Sequence, residues 1–194
     1  MTGIVERLIS DSVAAIAAMR SPEAMGALVR AVGVVSIALR SGRFVYLVGN
    51  GGSAADAQHI AAELAGRFLF DRRSLPAISL TTNASALTAI ANDHGYETVF
   101  ARQLEGVLRR GDVLFAISTS GNSPNILAAV RTAHKKGAAV IAMTGRRGGR
   151  MRRLLGKGDV LIAAPTDATP RIQECHALAG HIICELVEKS VCGK

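Results

Sequence analysis

Five short apolar runs are spaced along this chain. They are rich in β-branched or aromatic residues and lack an alternation of period two, so each is typical of a strand that is buried on both faces. Helical stretches lie between most of them, and this order predicts an α/β fold, a doubly wound parallel five-stranded sheet flanked by helices. The runs occupy residues 44–49, 76–81, 113–118, 138–144 and 159–164.

The first 41 residues have a different pattern. Apolar residues recur there at helical spacing, which predicts two amphipathic helices separated at Ser21-Pro22. We expect this N-terminal pair to form an oligomer interface, although it could instead cover one face of the sheet. A chain of 194 residues fits one domain. We therefore expect a single domain over 1–194, with the helical pair in 1–41 and the α/β sandwich in 42–194.

The composition limits the cellular compartment and the classes of partner that we expect for this protein. None of the five apolar runs reaches the roughly 18 residues of a membrane helix, and the N-terminus lacks the pattern of a secretion signal, so we expect a soluble, cytoplasmic protein without a membrane partner. The net charge of +8 suits a phosphorylated substrate or nucleic acid, but with two Tyr and no Trp we expect no nucleic-acid partner. Cys175, Cys184 and Cys192 form no CxxC pair and are expected to be free thiols.

The sequence Gly49-Asn50-Gly51-Gly52-Ser53 closes the first predicted strand and opens a predicted helix over 54–68. Glycines let a backbone approach a ligand closely, and we expect Ser53 to cap a helix whose first N–H groups face an anion or sugar oxygens. A purely steric glycine turn explains the motif equally well when it is taken alone. We call residues 49–53 the sugar loop.

A second loop, Ser118-Thr119-Ser120-Gly121-Asn122-Ser123-Pro124, again joins a predicted strand to a helix. Its four hydroxyl groups at a helix N-terminus can hold a phosphate dianion without a cation. The lysine of a GxxxxGK[ST] loop is absent, which argues against a nucleoside triphosphate. We call residues 118–124 the phosphate loop. Both loops follow strand ends, where open α/β sheets bind ligands, so we expect them to face one cleft.

His59 and Glu63 lie four residues apart on the helix after the sugar loop, hence on one face. They could meet at a reacting centre or be an ordinary surface pair, and Arg67 would extend the row. Gln173 and His181, on a last helix predicted from Thr169-Pro170 with Thr169 as its cap, are separated by about 12 Å of rise. Either that helix begins later, or the two reach a shared site from different chains, which is the alternative we favour.

These motifs resemble the phosphoheptose isomerases of the SIS (sugar isomerase) family in order and spacing, over nearly the whole chain. The two loops are shared by SIS domains in general, whereas the set His59, Glu63, Gln173 and His181 is specific to the phosphoheptose isomerases. The matching segments are Asn50 to Ser53, His59 to Glu63 with Gly66-Arg67, Asn92-Asp93, Ser118 to Ser123, and Arg171 to Glu174 followed by His181.

The resemblance implies a homotetramer with active sites near subunit boundaries and one zinc ion per subunit. Imidazole and carboxylate suit zinc, while a glutamine oxygen is a weaker ligand that could yield to substrate. The zinc ligands it implies are His59, Glu63, Gln173 and His181. The substrate-binding residues it implies are Asn50, Gly51, Gly52, Ser53, Glu63, Arg67, Asn92, Asp93, Ser118, Thr119, Ser120, Ser123, Thr169 and Gln173.

The implied reaction converts sedoheptulose 7-phosphate into D-glycero-D-manno-heptose 7-phosphate through an enediol, the first step toward ADP-heptose for lipopolysaccharide or capsule. Such a reaction needs a base, an acid and stabilisation of an oxyanion. Glu63 is the implied base and His181 the acid, provided that any bond from Glu63 to the metal weakens when substrate enters. The alternatives are a SIS-domain interaction protein of the replication-initiator-associating type and a sugar-phosphate sensor. The basic segment 146–153 is expected to be a solvated loop and helix start.

Overall fold

The computed structural model describes residues 1–193. The five strands are β1 (Val45–Gly49), β2 (Ala77–Ser79), β3 (Val113–Ile117), β4 (Ala139–Thr144) and β5 (Val160–Ala163). The eight α-helices of the described residues are α1 (Thr2–Ala18), α2 (Pro22–Arg40), α3 (Gly52–Ala65), α4 (Ala84–His94), α5 (Val99–Val107), α6 (Pro124–Lys136), α7 (Gly149–Leu154) and α8 (Thr169–Cys192).

The strands form one parallel sheet in the order β2-β1-β3-β4-β5. The chain leaves β1 toward β2 on one side and returns to β3 on the other, so the direction of winding reverses between β1 and β3. This order confirms the predicted doubly wound α/β sheet. The crevice at such a switch point, beyond the carboxyl ends of the strands, is where open α/β sheets bind ligands.

Each face of the sheet carries its own hydrophobic layer. One layer joins Val45, Leu47 and Phe115 to apolar side chains of α1, α2, α3 and α8. The other joins Tyr46 and Leu114 to α4, α5, α6 and α7. The central strands β1 and β3 are buried at every residue, as their unbroken apolar runs predict.

The strand β2 is shorter than its apolar run. It occupies three residues at the edge of the sheet, and Ile78 is 43% exposed, so the expectation of burial on both faces is wrong there. The cause is its position, because an edge strand is hydrogen-bonded on one side only.

The predicted N-terminal helical pair is present as α1 and α2, with the Ser21 hydroxyl accepting the Ala24 N–H at the start of α2. The two helices pack on α8 and β5 through one face only. Among residues 1–193, α2 is long and apolar enough to cross a membrane by composition; core helices of soluble proteins share this property. On α1, one stripe of apolar side chains remains exposed: Ile4, Val5, Leu8, Ile9 and Val13.

The helices α3 and α8 run in the same direction. Gly52 faces Gln173 near their first turns, and Phe68, just beyond α3, meets Glu188 near the end of α8. They approach closely at Gly180, where an added Cβ would lie 2.8 Å from Ile60 Cδ1. A glycine at this position therefore sets the distance between the two helices. The three cysteines are free thiols, as predicted, with Cys175 and Cys184 buried in this layer.

Candidate active site

The sugar loop and the phosphate loop begin at neighbouring strand ends, because Gly49 at the end of β1 is paired with Ile117 at the end of β3. Both loops therefore lie at the switch point of the sheet. They are linked through Asn125, the residue directly after the phosphate loop: Asn50 Nδ2 donates to Asn125 Oδ1 at 2.9 Å, and Asn125 Nδ2 donates to Asn50 Oδ1 at 2.8 Å.

Steric crowding fixes the shape of the sugar loop. A Cβ on Gly49 would lie 2.2 Å from the Ser53 carbonyl oxygen, and Gly51 has a φ of 55°, in the left-handed region. The expectation that Ser53 caps α3 is wrong, because the cap is Gly51 and Ser53 lies buried in the first helical turn. The backbone itself forms the turn, so no side-chain cap is needed.

The phosphate loop is a closed turn with an internal hydroxyl contact. Ser118 Oγ and Ser123 Oγ are 3.0 Å apart, and the Asn122 N–H donates to Ser120 Oγ at 3.1 Å. At Gly121, with a φ of 64°, an added Cβ would lie 2.2 Å from the Gly148 carbonyl oxygen. The loop is thus packed against the segment that leads into α7.

A cavity of about 390 Å³ opens beside this loop, a size suited to a small ligand. Thr119 and Ser120 of the phosphate loop line it, together with Thr169 at the start of α8. Arg147 also lines it and lies 3.6 Å from Asp167 through Nε. The sequence prediction omitted Arg147 because it treated the basic segment as solvated; Arg147 brings a positive charge to a phosphate site that was expected to need none.

The side chains of His59, Glu63 and His181 form a row on the surface of α3 and α8. His59 Nε2 lies 3.1 Å from Glu63 Oε1 and 3.3 Å from His181 Nε2, all within one chain. The Phe68 ring packs 5.8 Å from the His181 ring. The His59 side chain is 53% exposed and that of Glu63 is 26% exposed, so the row is open to solvent.

These side chains match zinc by donor type, and the two separations from His59 are close to the spacing of zinc ligands. Imidazole nitrogen and carboxylate oxygen bind zinc at about 2.0–2.2 Å, which places tetrahedral ligand atoms roughly 3.3–3.6 Å apart. The separations in the row are 3.1 and 3.3 Å. As placed, however, no three His, Cys, Asp or Glu side chains within residues 1–193 surround a point that could hold a metal ion.

Gln173 lies outside this row. Its amide packs over Gly52, where an added Cβ would be 2.0 Å from Gln173 Nε2, so it faces the sugar loop. The helix α8 does begin at Thr169, which excludes the later start considered for it. Its cap is Ala168 rather than Thr169, because Thr169 is already the first helical residue. His181 lies beside His59 of its own chain, whereas Gln173 and His181 remain two turns apart.

The remaining predicted residues are exposed. The helix α3 ends at Ala65, before Arg67, so the expectation that Arg67 continues the helical row is wrong; Gly66 ends the helix. Asn92 and Asp93 lie on α4, where Asn92 Nδ2 donates to Asp93 Oδ1 at 2.8 Å. The short 3-10 turn after α4 returns to the sugar loop, because the Tyr96 hydroxyl donates to Asn50 Oδ1 at 3.1 Å.

Asp56 is a further residue of this region that the sequence prediction missed. It lines a small pocket together with His59 and His181. Its Oδ2 is buried and has no hydrogen-bond partner within the described residues. Burial raises the pKa of this carboxyl above its usual range, and His59 nearby opposes the shift. The sequence signal was available, since Asp56 precedes His59 by three residues and so shares its helix face.

Comparison with known proteins agrees with this arrangement. The model of the SIS domain matches residues 10–145. The phosphoheptose isomerase of Burkholderia pseudomallei strain K96243 is 52% identical over 187 residues, covering 96% of this chain and 93% of that protein. The structure of phosphoheptose isomerase GmhA from Neisseria gonorrhoeae superposes with a TM-score of 0.92 at 41% identity, covering 97% and 98% of the two chains.

A phosphoheptose isomerase structure from Francisella tularensis superposes equally well, with a TM-score of 0.93 at 32% identity and the same coverage of 97% and 98%. Each of the two structures thus matches nearly the whole length of this chain. The chain therefore belongs to the SIS-domain family and, within it, to the phosphoheptose isomerases.

Proposed function

We propose that this protein is an aldose-ketose isomerase that interconverts sedoheptulose 7-phosphate and D-glycero-D-manno-heptose 7-phosphate, and so supplies the first intermediate of ADP-heptose for lipopolysaccharide or capsule. The observation that carries the proposal is the pairing of a hydroxyl-rich phosphate loop with a surface row of one carboxylate and two imidazoles in the same chain. Relatives that are 52% identical over nearly the whole chain are phosphoheptose isomerases, and this favours the enzyme over an interaction protein or a sensor.

In this proposal the phosphate loop binds the phosphate group of the substrate. Its hydroxyls and the N-terminus of α6 supply donors, and Arg147, which lines the same cavity, adds positive charge. The sugar loop binds the hydroxyls of the sugar chain, with Gln173 above it and Asn92-Asp93 on the neighbouring helix. Thr169 lines the same cavity as the phosphate loop. Arg67, just after the end of α3, is included from the resemblance to the family.

Zinc is part of the proposal, with His59, Glu63 and His181 as ligands on the strength of their donor types and spacing. Gln173 is the proposed fourth ligand, from the resemblance to the family. A bound zinc ion supplies a Lewis acid that polarises the carbonyl group of the substrate and stabilises an enediolate.

Glu63 moves the proton between carbon atoms. It removes a proton from C1 of the ketose, and the electron pair of that C–H bond forms the C1–C2 double bond of the enediol. His181 gives a proton to the C2 oxygen and accepts the proton of the C1 hydroxyl. Glu63 then returns its proton to C2, which leaves an aldehyde at C1 and no net gain or loss of protons.

The proposed assembly is a homotetramer with active sites near subunit boundaries. The exposed apolar stripe on α1 gives a surface that another copy can cover. The row formed by His59, Glu63 and His181 is open to solvent. Its first residue, His59, lies about 10 Å along α3 from Gly52. A neighbouring subunit that covers the row would exclude water from the enediol.

Turnover of sedoheptulose 7-phosphate by the purified protein tests the proposal. The assay follows the aldose product before chelation, after chelation and after zinc is restored. We expect aldose formation that the chelator abolishes and zinc recovers. No turnover by protein that contains zinc would overturn the isomerase, and turnover that survives complete metal removal would overturn the role of zinc.

A further inference from the structure

Two asparagine side chains join the sugar loop to the phosphate loop. Asn50 and Asn125, which are 75 positions apart in the chain, exchange a reciprocal pair of hydrogen bonds of 2.9 and 2.8 Å. Asn50 follows β1, and Asn125 lies in the first turn of α6, directly after the phosphate loop. This amide pair therefore ties the sugar loop to the helix start that follows the phosphate loop.

The direction of every hydrogen bond in this link is fixed by the backbone. The Ile126 N–H donates to Asn125 Oδ1 at 2.9 Å, so the oxygen of that amide must point toward the helix start. Asn50 must then present its nitrogen to Asn125 Oδ1 and its oxygen to Asn125 Nδ2. Asn50 Oδ1 in turn accepts from the Tyr96 hydroxyl at 3.1 Å. The donor and the acceptor of each hydrogen bond from α6 to Tyr96 are therefore assigned in one way only.

The same network limits what each asparagine can do. Asn50 Oδ1 accepts two hydrogen bonds, from Asn125 and Tyr96, which uses both of its lone pairs. Asn50 keeps one N–H for a substrate hydroxyl. Asn125 is 2% exposed, and its oxygen also accepts twice. Asn125 lines a pocket beside Asn50 and Tyr96, but it exposes little surface there and its recorded side-chain partner is Asn50. Its effect on a ligand is therefore expected to act mainly through Asn50.

We infer that Asn125 is a positioning residue, which holds the sugar loop at a fixed distance and orientation from the phosphate loop. The inference rests on the proposed function, in which the two loops bind opposite ends of one phosphosugar. Losing the link leaves each loop intact and removes their fixed spacing. A ligand that spans both loops then binds more weakly than to the wild type, because binding must also fix the position of one loop relative to the other, which costs conformational entropy.

The experiment compares a ligand that spans the loops with one that does not. Calorimetry measures the Kd of sedoheptulose 7-phosphate and of inorganic phosphate for the wild type and for Asn125→Ala, and initial rates give KM and kcat. Loss of a buried reciprocal pair is expected to raise the Kd and the KM for sedoheptulose 7-phosphate about tenfold, while kcat and the Kd of phosphate stay within about twofold.

Asn83→Ala is the matched control. Asn83 Oδ1 accepts the Ala86 N–H at 3.0 Å and so also supports a helix start, but it joins no loops. Its removal is expected to leave both Kd values unchanged. Asn50→Ala should weaken sugar-phosphate binding more than Asn125→Ala, because it also removes the N–H offered to the substrate. The double variant Asn50→Ala/Asn125→Ala should match Asn50→Ala, because Asn125 has no partner to position once Asn50 is gone. Additive effects of the two changes would contradict the inference.

Tyr96→Phe provides a second test if Asn125→Ala does not fold, because Tyr96 is 56% exposed and its loss of a hydroxyl leaves the core intact. It should weaken binding of the sugar phosphate about threefold and leave phosphate binding unchanged. Equal weakening of both ligands by Asn125→Ala, or unchanged sugar-phosphate binding in both variants, overturns the inference. Wild-type protein that binds the sugar phosphate without turnover overturns the reaction instead, and the binding comparison still decides the role of Asn125.

Discussion

The ion pair between Arg72 and Glu188 offers a strong test of how this fold supports its active site. Arg72 Nε lies 3.0 Å from Glu188 Oε1, and the two side chains are only 3% and 0% exposed. Glu188 also accepts the backbone N–H groups of Phe68 and Leu69, each at 2.8 Å. Arg72 donates to carbonyl oxygens at the end of α3, including that of Glu63 at 2.8 Å. The pair thus fixes the backbone at the end of α3, next to the side chains of Glu63 and His181.

Glu188→Gln should destabilise the protein by about 3–5 kcal/mol, the usual cost of removing one partner of a buried ion pair. The Arg72 cation loses its counter-charge, and the new amide group turns an N–H₂ toward a backbone N–H or toward Arg72. Arg72→Met should cost a similar amount, because it leaves the buried carboxylate uncompensated and several carbonyl oxygens without a donor. Phe68 should also shift from the His181 ring, so zinc affinity falls with stability.

Urea unfolding at one protein concentration measures the free energy, because assembly would make stability depend on concentration. Glu185→Gln is the control. Glu185 lies on the same helix and pairs with Lys189 at 2.6 Å, but the two side chains are 40% and 46% exposed. Its loss should cost less than about 1 kcal/mol. If Glu188→Gln cost no more than Glu185→Gln, the reasoning from burial would be refuted.

The pair also predicts a pH dependence. Burial raises the pKa of Glu188, but the N–H groups of Leu69 and Phe68 and the charge of Arg72 outweigh it, so the pKa lies below its usual 4.5. The folded state thus binds fewer protons than the unfolded state in this range. The stabilisation is fully present above about pH 5 and is lost as the pH falls through 4.5 toward the folded pKa. Unfolding curves of Glu188→Gln should lack this component.

Four other outcomes follow. Glu63→Gln should abolish turnover while calorimetry still detects sugar-phosphate binding, and near-normal turnover would remove Glu63 from the mechanism. His181→Ala should lose both zinc, measured by equilibrium dialysis, and activity, whereas full zinc retention would exclude it as a ligand. Burial lowers the pKa of His176 to about 4, so wild-type stability should fall as the pH decreases from 6.5 through 4, and His176→Leu should flatten that slope in urea unfolding. Gly121→Ala should weaken inorganic phosphate binding more than tenfold, since its Cβ would lie 2.2 Å from the Gly148 oxygen; an unchanged Kd would show that the loop can relax.

The sequence predicts the sheet well because continuous apolar runs identify buried strands without knowledge of their neighbours. Local sequence patterns predict the ends of elements poorly where backbone geometry or a contact with a distant residue sets the boundary. Ser53 and Thr169 are good capping residues, yet the caps of the two helices are Gly51 and Ala168, and neither helix has a side-chain cap. Gly66 ends α3 earlier than the helical pattern suggests. The edge position that shortens β2 is likewise a property of the sheet order, which no single run contains.

The candidate site divides along the same line. His59 and Glu63 were predictable as a pair because a helix brings residues four positions apart together. His181 beside His59, by contrast, depends on a contact across 122 positions. Asn125 carries no local sign of its role, since its partner Asn50 lies 75 positions away. Residues that act through a tertiary partner therefore escape a motif-based prediction even when the motif beside them is clear.

Gly180 determines whether the proposed catalytic residues, once present in the sequence, can also meet in the structure. The distance between the two imidazoles depends on how closely α3 and α8 approach, and that approach depends on the missing side chain at Gly180 against Ile60. A larger residue there would move His181 away from His59 while leaving every ligand and loop motif unchanged in the sequence. One packing residue can thus keep the row from forming although every motif residue is present. In this chain the proposed set of ligands is informative about catalysis only together with the glycine that sets the approach of the two helices.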